Sequence, residues 1–135
     1  MLNSAPDKLV YVNSAPGLND LIEDFRRQTL VAFDLEADSM FHFKEKVCLI
    51  QAASVSSNYF IDPLSITDLS PLAQILSDPG ITKIFHGADY DVRSLYRDYQ
   101  ISLHNLFDTE LASRFLGNAE TGLNTVLQNR FGITL

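Results

Sequence analysis

Two carboxylates at alternate positions of an apolar run are the residues of this sequence best suited to chemistry. The run covers residues 30–38 and carries Asp34 and Glu36 where a buried strand would normally be apolar. Strand side chains alternate between faces at a rise of about 3.3 Å per residue, so the two acids share a face and project about 6–7 Å apart. That separation suits one hard cation, or two cations about 4 Å apart. The alternative interpretation is a strand end that runs into solvent, where acids cost little.

A second polar cluster, HGADYD at residues 86–91, lies where a strand pattern gives way to a helix pattern. This is the usual location of sites in open α/β sheets. We expect Asp89 to be the N-cap of the helix and Asp91 to lie in its first turn, where the helix dipole favours a carboxylate. Capping alone would also explain both acids. For His86, a hydrogen bond to the backbone competes with ligand binding, since carboxylates suit Mg²⁺ or Mn²⁺ better than imidazole does.

The composition predicts one folded domain, because 135 residues with 46% apolar content can bury a core. No basic segment precedes an apolar run and no 18 consecutive residues are apolar, so neither secretion nor membrane insertion is indicated. The single cysteine, Cys48, suits a reducing compartment, and we expect a cytoplasmic location. A net charge of −7 argues against broad electrostatic binding of nucleic acid, but bound divalent cations would reverse the local field of a metal site.

Hydrophobic periodicity predicts an α/β fold with a mixed sheet. Strand patterns occupy residues 9–12, 30–38, 47–54 and 59–62, and the last three are predicted to form an antiparallel meander. Strand–helix units follow, with a strand at residues 81–86 and Asp108 predicted as the N-cap of a later helix. Apolar stripes at helical spacing are formed by Leu18, Leu21, Ile22 and Phe25, and by Leu123, Val126, Leu127 and Phe131.

Several motifs occur in an order and at spacings that resemble a known family. They are DLE at 34–36, VCLIQ at 47–51, IDPL at 61–64, KIFHGADYD at 83–91, FDT at 107–109 and ASRFLG at 112–117. From about Leu30 to the end, the sequence resembles ribonuclease D and its exosome-associated relatives, which are 3′–5′ exonucleases of the DEDD superfamily. The resemblance implies a ribonuclease H-like fold, in which a three-stranded antiparallel meander is followed by strand–helix units.

The resemblance also implies an active site. Asp34 and Glu36 match the first exonuclease motif and Asp91 the second, and in the family these acids ligate two divalent metals, Mg²⁺ or Mn²⁺. The metals activate a water and stabilise the leaving 3′ oxygen of the terminal phosphodiester. Asp89 and Asp108 match positions that the family does not use as ligands. The implied partner is nucleic acid with a free 3′ end, either RNA or single-stranded DNA, and the motifs do not decide between them.

The loop at residues 40–46 is expected to edge the substrate groove. Its aromatic side chains offer stacking surface, and Lys44 and Lys46 would meet backbone phosphates. The competing interpretation is that the aromatic residues fold back into the core. The candidate substrate-binding residues are His42, Lys44 and His86.

One departure from the family pattern affects the expected activity. Relatives carry a third motif with a tyrosine and, four residues later, an aspartate, whereas no aspartate follows Asp108 and no tyrosine follows Tyr99 here. We therefore expect residues 1–135 to be a single exonuclease-like domain that is incomplete at its C-terminal end, with little nuclease activity. The alternative is a non-catalytic nucleic-acid-binding or scaffold version of the same fold.

Overall fold

A computed structural model of the chain describes residues 8–38 and 44–135. Its strands are β1 (Leu9–Val12), β2 (Leu30–Ala37), β3 (Val47–Ala53), β4 (Asn58–Ile61), β5 (Thr82–Phe85) and β6 (Leu106–Asp108). Its helices are α1 (Ala15–Phe25), α2 (Ala73–Leu76, after a 3-10 turn at Ser70–Leu72), α3 (Asp89–Tyr99), α4 (Thr109–Phe115) and α5 (Leu123–Phe131).

The strands form one mixed sheet in the order β1-β4-β3-β2-β5-β6. β3 pairs antiparallel with both β2 and β4, which confirms the predicted meander. β1 pairs parallel with β4, β2 with β5, and β5 with β6. The acidic strand β2 therefore lies inside the sheet, and the β5-to-α3 connection lies beside it.

One face of the sheet carries the hydrophobic core. Val31, Phe33 and Leu35 of β2 are buried there, as the alternating pattern predicts. The ring of Phe33 stacks on Phe85 with centroids 5.8 Å apart, and it meets Phe25 of α1 edge to face at 5.7 Å. The predicted stripe of α1 is buried in full. These aromatic contacts fix β2 against β5 and α1.

The opposite face of β2 is polar. Asp34 and Glu36 are both exposed on it, so the prediction that they share a face is confirmed. A β-bulge interrupts the pairing of β2 with β3 between Glu36 and Ala37. Bulges re-aim side chains and are common beside active sites. The bulge in β2 ends the regular pairing of β2 with β3 directly after Glu36.

A fully buried lysine lies in the middle of β5. The Nζ of Lys83 donates hydrogen bonds to the backbone oxygens of Asp78 at 2.5 Å and Ile81 at 2.7 Å. Burial lowers the pKa of Lys83, while Asp78 opposes that effect. The side chain thus closes the turn that leads into β5.

The C-terminal helix differs from its prediction. α5 forms at the expected place, but none of its residues is buried, including Leu123 and Phe131. An amphipathic pattern predicts an apolar face but does not supply a surface to cover it. Within residues 8–38 and 44–135, no helix is both long and apolar enough to cross a membrane.

Candidate active site

The three sequence-predicted acids come from two neighbouring elements. Asp34 and Glu36 project from the exposed face of β2, and Asp91 lies in the first turn of α3. Asp91 is only 6% exposed, which is unusual for an acidic side chain. The strand and helix meet because α3 begins soon after β5, and β5 is the parallel neighbour of β2.

Asp91 lies within electrostatic reach of both other acids. Its burial, followed by the charges of Asp34, Glu36 and Asp108, raises the pKa of Asp91 to about 7. Each of these causes disfavours a negative charge at this position. A carboxylic acid that titrates near neutrality among other acids is typical of functional sites.

Among the described residues, no hydrogen-bond donor or cation compensates the charges of these acids. In residues 8–38 and 44–135, no hydrogen bond or ion pair reaches the carboxylates of Asp34, Glu36 or Asp91. A buried charge without a partner is costly, and a cation would relieve that cost. In the same part of the chain, no three His, Cys, Asp or Glu side chains are gathered closely enough to hold a metal ion as they stand. The donor chemistry fits a hard cation, provided that the three acids draw together around it.

A groove of about 550 Å³ is lined by Asp34, but not by Glu36 or Asp91, and most of its other lining residues are apolar. The parallel pairing of β2 with β5 ends at Ala32 and Ile84, and Asp34 and His86 follow two residues later on their respective strands. Both side chains line the groove, together with Thr109. The structure therefore brings His86, a candidate substrate-binding residue, beside the candidate metal-binding strand.

His86 is held by a short hydrogen-bond chain. Its Nδ1 lies 2.9 Å from Oγ1 of Thr109, and that hydroxyl donates to the backbone oxygen of Phe85 at 3.0 Å. The Nε2 atom of His86 is buried without a hydrogen-bond partner in the described part of the chain. A direct hydrogen bond from His86 to the backbone is one of the two interpretations of the sequence. In the structure, the ring is instead linked to the backbone through the hydroxyl of Thr109.

The prediction that Asp89 caps α3 is wrong. The N-cap is Ala88, and Asp89 is the first helical residue, exposed and paired with Arg93 one turn later. No side chain of the described residues caps the helix; instead, a distant residue, Asp108, holds the two residues that precede it. Its carboxylate accepts hydrogen bonds from the N–H groups of Gly87 at 3.0 Å and Ala88 at 2.8 Å.

Asp108 is the N-cap of α4, as predicted. It accepts from the N–H groups of Glu110 at 2.9 Å and Leu111 at 3.2 Å at the start of α4. Burial opposes ionisation of Asp108, yet the bonds from four backbone N–H groups lower its pKa below the usual value. The N-cap signal was visible in the sequence, whereas the bonds to Gly87 and Ala88 had no local signal.

The remaining substrate-binding candidates lie in or near the β2–β3 loop. Lys44 is exposed, and His42 lies outside the described residues, as do Phe41 and Phe43. The following residue, Glu45, accepts a hydrogen bond from the hydroxyl of Tyr90 at 2.8 Å.

The guanidinium of Arg97 also pairs with Glu45, and Asp98 accepts from the N–H of Val47 at 2.9 Å. These contacts fasten the end of the loop to α3, the helix that carries Asp91. Glu45 and Val47 are thereby fastened to α3.

Comparison with known proteins places this arrangement in context. The model of the 3′–5′ exonuclease family matches residues 9–135. Protein RRP6-like 3 of Arabidopsis thaliana is 34% identical over 128 residues, which are 94% of this chain and 14% of that protein. Among solved structures, RNase D of Escherichia coli superposes with a TM-score of 0.86 at 30% identity, covering 93% of this chain and 34% of that one. The catalytic core of RRP6 from Trypanosoma brucei gives a TM-score of 0.88 at 28% identity, covering 100% of this chain and 37% of that one.

Proposed function

Because this chain belongs to the 3′–5′ exonuclease family, we propose that it is a metal-dependent 3′–5′ exonuclease domain that removes nucleotides from the 3′ end of RNA. The observation that carries the proposal is Asp91, a residue only 6% exposed that has no donor within the described part of the chain and lies within electrostatic reach of Asp34 and Glu36. Such a cluster is unfavourable alone and favourable around a cation. The chain spans only 14% of the plant relative, so the activity of the whole protein is part of the proposal.

Asp34, Glu36 and Asp91 are the proposed catalytic residues and the proposed ligands of Mg²⁺ or Mn²⁺. A divalent cation bound there would supply Lewis-acid stabilisation of the charge that develops on the scissile phosphate. β2 fixes two of the acids on one face, and α3 brings the third within electrostatic reach. Because Asp91 is buried, its charge is weakly screened by water and would interact strongly with a bound cation.

RNA is the proposed substrate because a 30% identical relative, RNase D of Escherichia coli, is described as an exoribonuclease involved in structured RNA processing. His86 lines the groove together with Asp34, and Lys44 is exposed, so both are proposed to contact the substrate. His42 remains a prediction from the sequence, and so do the single-domain organisation and the cytoplasmic location.

Turnover by these 135 residues is proposed to be slow. Three acids rather than four are present for a two-metal site, because no aspartate follows Asp108 in this sequence. A second cation would then be held mainly by water and substrate oxygens. The metal site and the chemistry are therefore best tested separately.

The metal site is tested by titrating the chain with Mn²⁺ and measuring the unbound ion by electron paramagnetic resonance. We expect Asp91→Asn to weaken binding strongly, because it removes a buried anionic ligand. The matched control is Asp89→Asn, which changes an exposed acid two residues away on the same helix. Equal affinities for the wild type and Asp91→Asn would refute the proposed ligand set.

The chemistry is tested with excess protein on 5′-labelled RNA and DNA oligonucleotides of one sequence, with Mg²⁺ or Mn²⁺. We expect RNA to shorten by one nucleotide at a time, and we expect Asp34→Asn to stop it. DNA shortened as fast as RNA would refute the substrate assignment. Oligonucleotide binding without shortening, under both metals, would favour the non-catalytic version of the fold.

The proposed contacts with substrate phosphates are tested by replacing Lys44 and Lys46 with alanine. Both side chains are exposed, so their loss should spare the fold. If they meet phosphates, binding of single-stranded RNA should weaken, and the slope of log affinity against log salt should fall by about one unit or more. The control is Lys8→Ala, since Lys8 is exposed before β1. An unchanged slope would locate the phosphate contacts elsewhere.

A further inference from the structure

The turn between β5 and α3 connects two parts of the candidate site. It begins at Phe85, carries His86 into the groove, and ends at Ala88, three residues before Asp91. Gly87 in its middle has a φ of +76°, a conformation that favours glycine. A turn of this kind is not regular secondary structure, so other residues must fix its shape.

Two consecutive residues at the start of α4 fix it. Asp108 accepts from the N–H groups of Gly87 and Ala88, one with each carboxylate oxygen. Thr109 donates to the backbone oxygen of Phe85 and bonds to the His86 ring. Asp108 and Thr109 thus hold the turn at four successive residues.

The contact of Thr109 also determines where the His86 ring carries its proton. A threonine hydroxyl has one proton, and a backbone oxygen can only accept. Because Thr109 donates to the oxygen of Phe85 at 3.0 Å, it can only accept from the ring atom Nδ1 of His86 at 2.9 Å. In the neutral ring, Nδ1 is then protonated and Nε2 is an acceptor.

We propose that Asp108 and Thr109 are positioning residues of the candidate active site: Asp108 sets the start of α3, and so the place of Asp91, and Thr109 fixes His86 as the Nδ1-protonated tautomer. The part that concerns Asp91 rests on the proposed function, whereas the part that concerns the tautomer does not. In this tautomer Nε2 of His86 is an acceptor, and it is buried without a hydrogen-bond partner among the described residues. It does not offer a donor to a phosphate oxygen.

The tautomer is tested by two-dimensional ¹H–¹⁵N NMR that correlates ring nitrogens with ring protons, at a pH where His86 is neutral and with His86→Gln to assign its signals. We expect the wild type and Thr109→Ser to show Nδ1–H, because serine keeps the hydroxyl. Thr109→Val has nearly the same shape without the hydroxyl, and we expect it to lose that tautomer preference. Thr121→Val is the control, since its hydroxyl bonds to Glu110 rather than to the turn. An Nε2–H ring in the wild type, or an unchanged ring in Thr109→Val, would overturn this part.

The role of Asp108 is tested with Asp108→Asn, whose amide nitrogen cannot accept a hydrogen bond. One carboxylate acceptor is lost while the size is kept, so the variant should fold. We expect faster hydrogen exchange at the Gly87 or Ala88 amide, and Mn²⁺ affinity weaker by about 10–100-fold, the usual effect of losing a residue that orients a metal ligand.

Asp89→Asn is the control for Asp108→Asn, because it changes one acid of the same region without touching the turn. Exchange at Gly87 and Ala88 equal to that of the control would overturn the positioning role. Faster exchange with unchanged Mn²⁺ affinity would show that the turn does not position Asp91. If the wild type bound no Mn²⁺, the proposed function would fail, while the exchange and the tautomer would still decide whether Asp108 and Thr109 hold the turn.

Discussion

Asp91 is buried, Asp108 is partly buried, and the two acids lie within electrostatic reach of each other in opposite surroundings. Asp108 accepts hydrogen bonds from four backbone N–H groups, and its pKa is lowered. Asp91 accepts none within the described part of the chain, and its pKa is raised to about 7. The same side chain is therefore stable as an anion at one position and unstable as an anion at the other.

The difference separates a structural acid from one that is available for chemistry. The charge of Asp108 is already compensated by the starts of α3 and α4, so it has little to gain from a ligand. Asp91 has no such compensation, and its two nearest acidic neighbours on β2 add to the repulsion. The region where α3 begins therefore holds one acid with a structural role, Asp108, and one acid, Asp91, whose charge has no partner among the described residues.

The largest expected effect comes from removing the charge of Asp91. Asp91→Asn should lower the rate of nucleotide release by at least about 10²–10³-fold, because it deletes electrostatic stabilisation inside the site. The free energy of unfolding should stay equal or rise, since the variant removes a buried, unpaired carboxylate. Single-turnover cleavage and urea unfolding measure the two quantities. A large loss of stability would show that the carboxylate of Asp91 is structural.

Asp108 is expected to behave in the reverse way. Asp108→Ala removes the cap of α4 and leaves the N–H groups of Gly87 and Ala88 without partners. We expect the free energy of unfolding to fall by about 2–4 kcal/mol. Urea unfolding with Asp89→Ala as the control measures it. A loss no greater than that of the control would remove the distinction between the two acids.

The raised pKa of Asp91 predicts a pH dependence with a definite sign. The folded value, about 7, is above the ordinary value of 3.8, so the folded state binds more protons between those values. In the absence of metal, the contribution of Asp91 to stability should therefore fall as the pH rises from 3.8 to about 7.

Mn²⁺ competes with the same proton, and its affinity should fall by about tenfold per pH unit below 7. Chemical unfolding and Mn²⁺ titration across this range measure both effects, and Asp91→Asn should remove both. If the stability of Asp91→Asn still depended on pH in this range, another titratable group would be the cause.

The smallest effect on stability is expected at Gly87, in the turn between β5 and α3 that Asp108 holds. Gly87→Ala places a side chain at a φ of +76°, and its Cβ would lie 2.9 Å from Oε2 of Glu110. We expect a loss of about 1–2 kcal/mol in the free energy of unfolding from the backbone conformation alone. Urea unfolding measures it, with Gly122→Ala as the control, because a Cβ there would meet no atom within 4 Å. Equal stability of the two variants would show that the turn tolerates other shapes.

The sequence predicted those features that depend on local spacing. The alternation in β2 placed Val31 and Phe33 on the core face and Asp34 on the other, and three successive strand patterns predicted the antiparallel meander. It could not predict that Asp91 is buried, because that depends on how α3 packs against the sheet. Nor could it predict that Asp108 binds the N–H of Gly87, 21 residues away, or that Asp89 does not cap α3.

The buried lysine of β5 has a consequence for covalent labelling. The amine of Lys83 is enclosed and donates to two backbone oxygens, whereas the side chains of Lys8, Lys44 and Lys46 are exposed. Burial is what lowers the pKa of Lys83, so once the sheet opens this amine should react as the exposed lysines do. An acylating reagent should therefore modify the three exposed lysines within the native protein and Lys83 only when the sheet opens. Mass spectrometry of the Lys83 peptide would follow opening of the β5 region without any substitution in the chain.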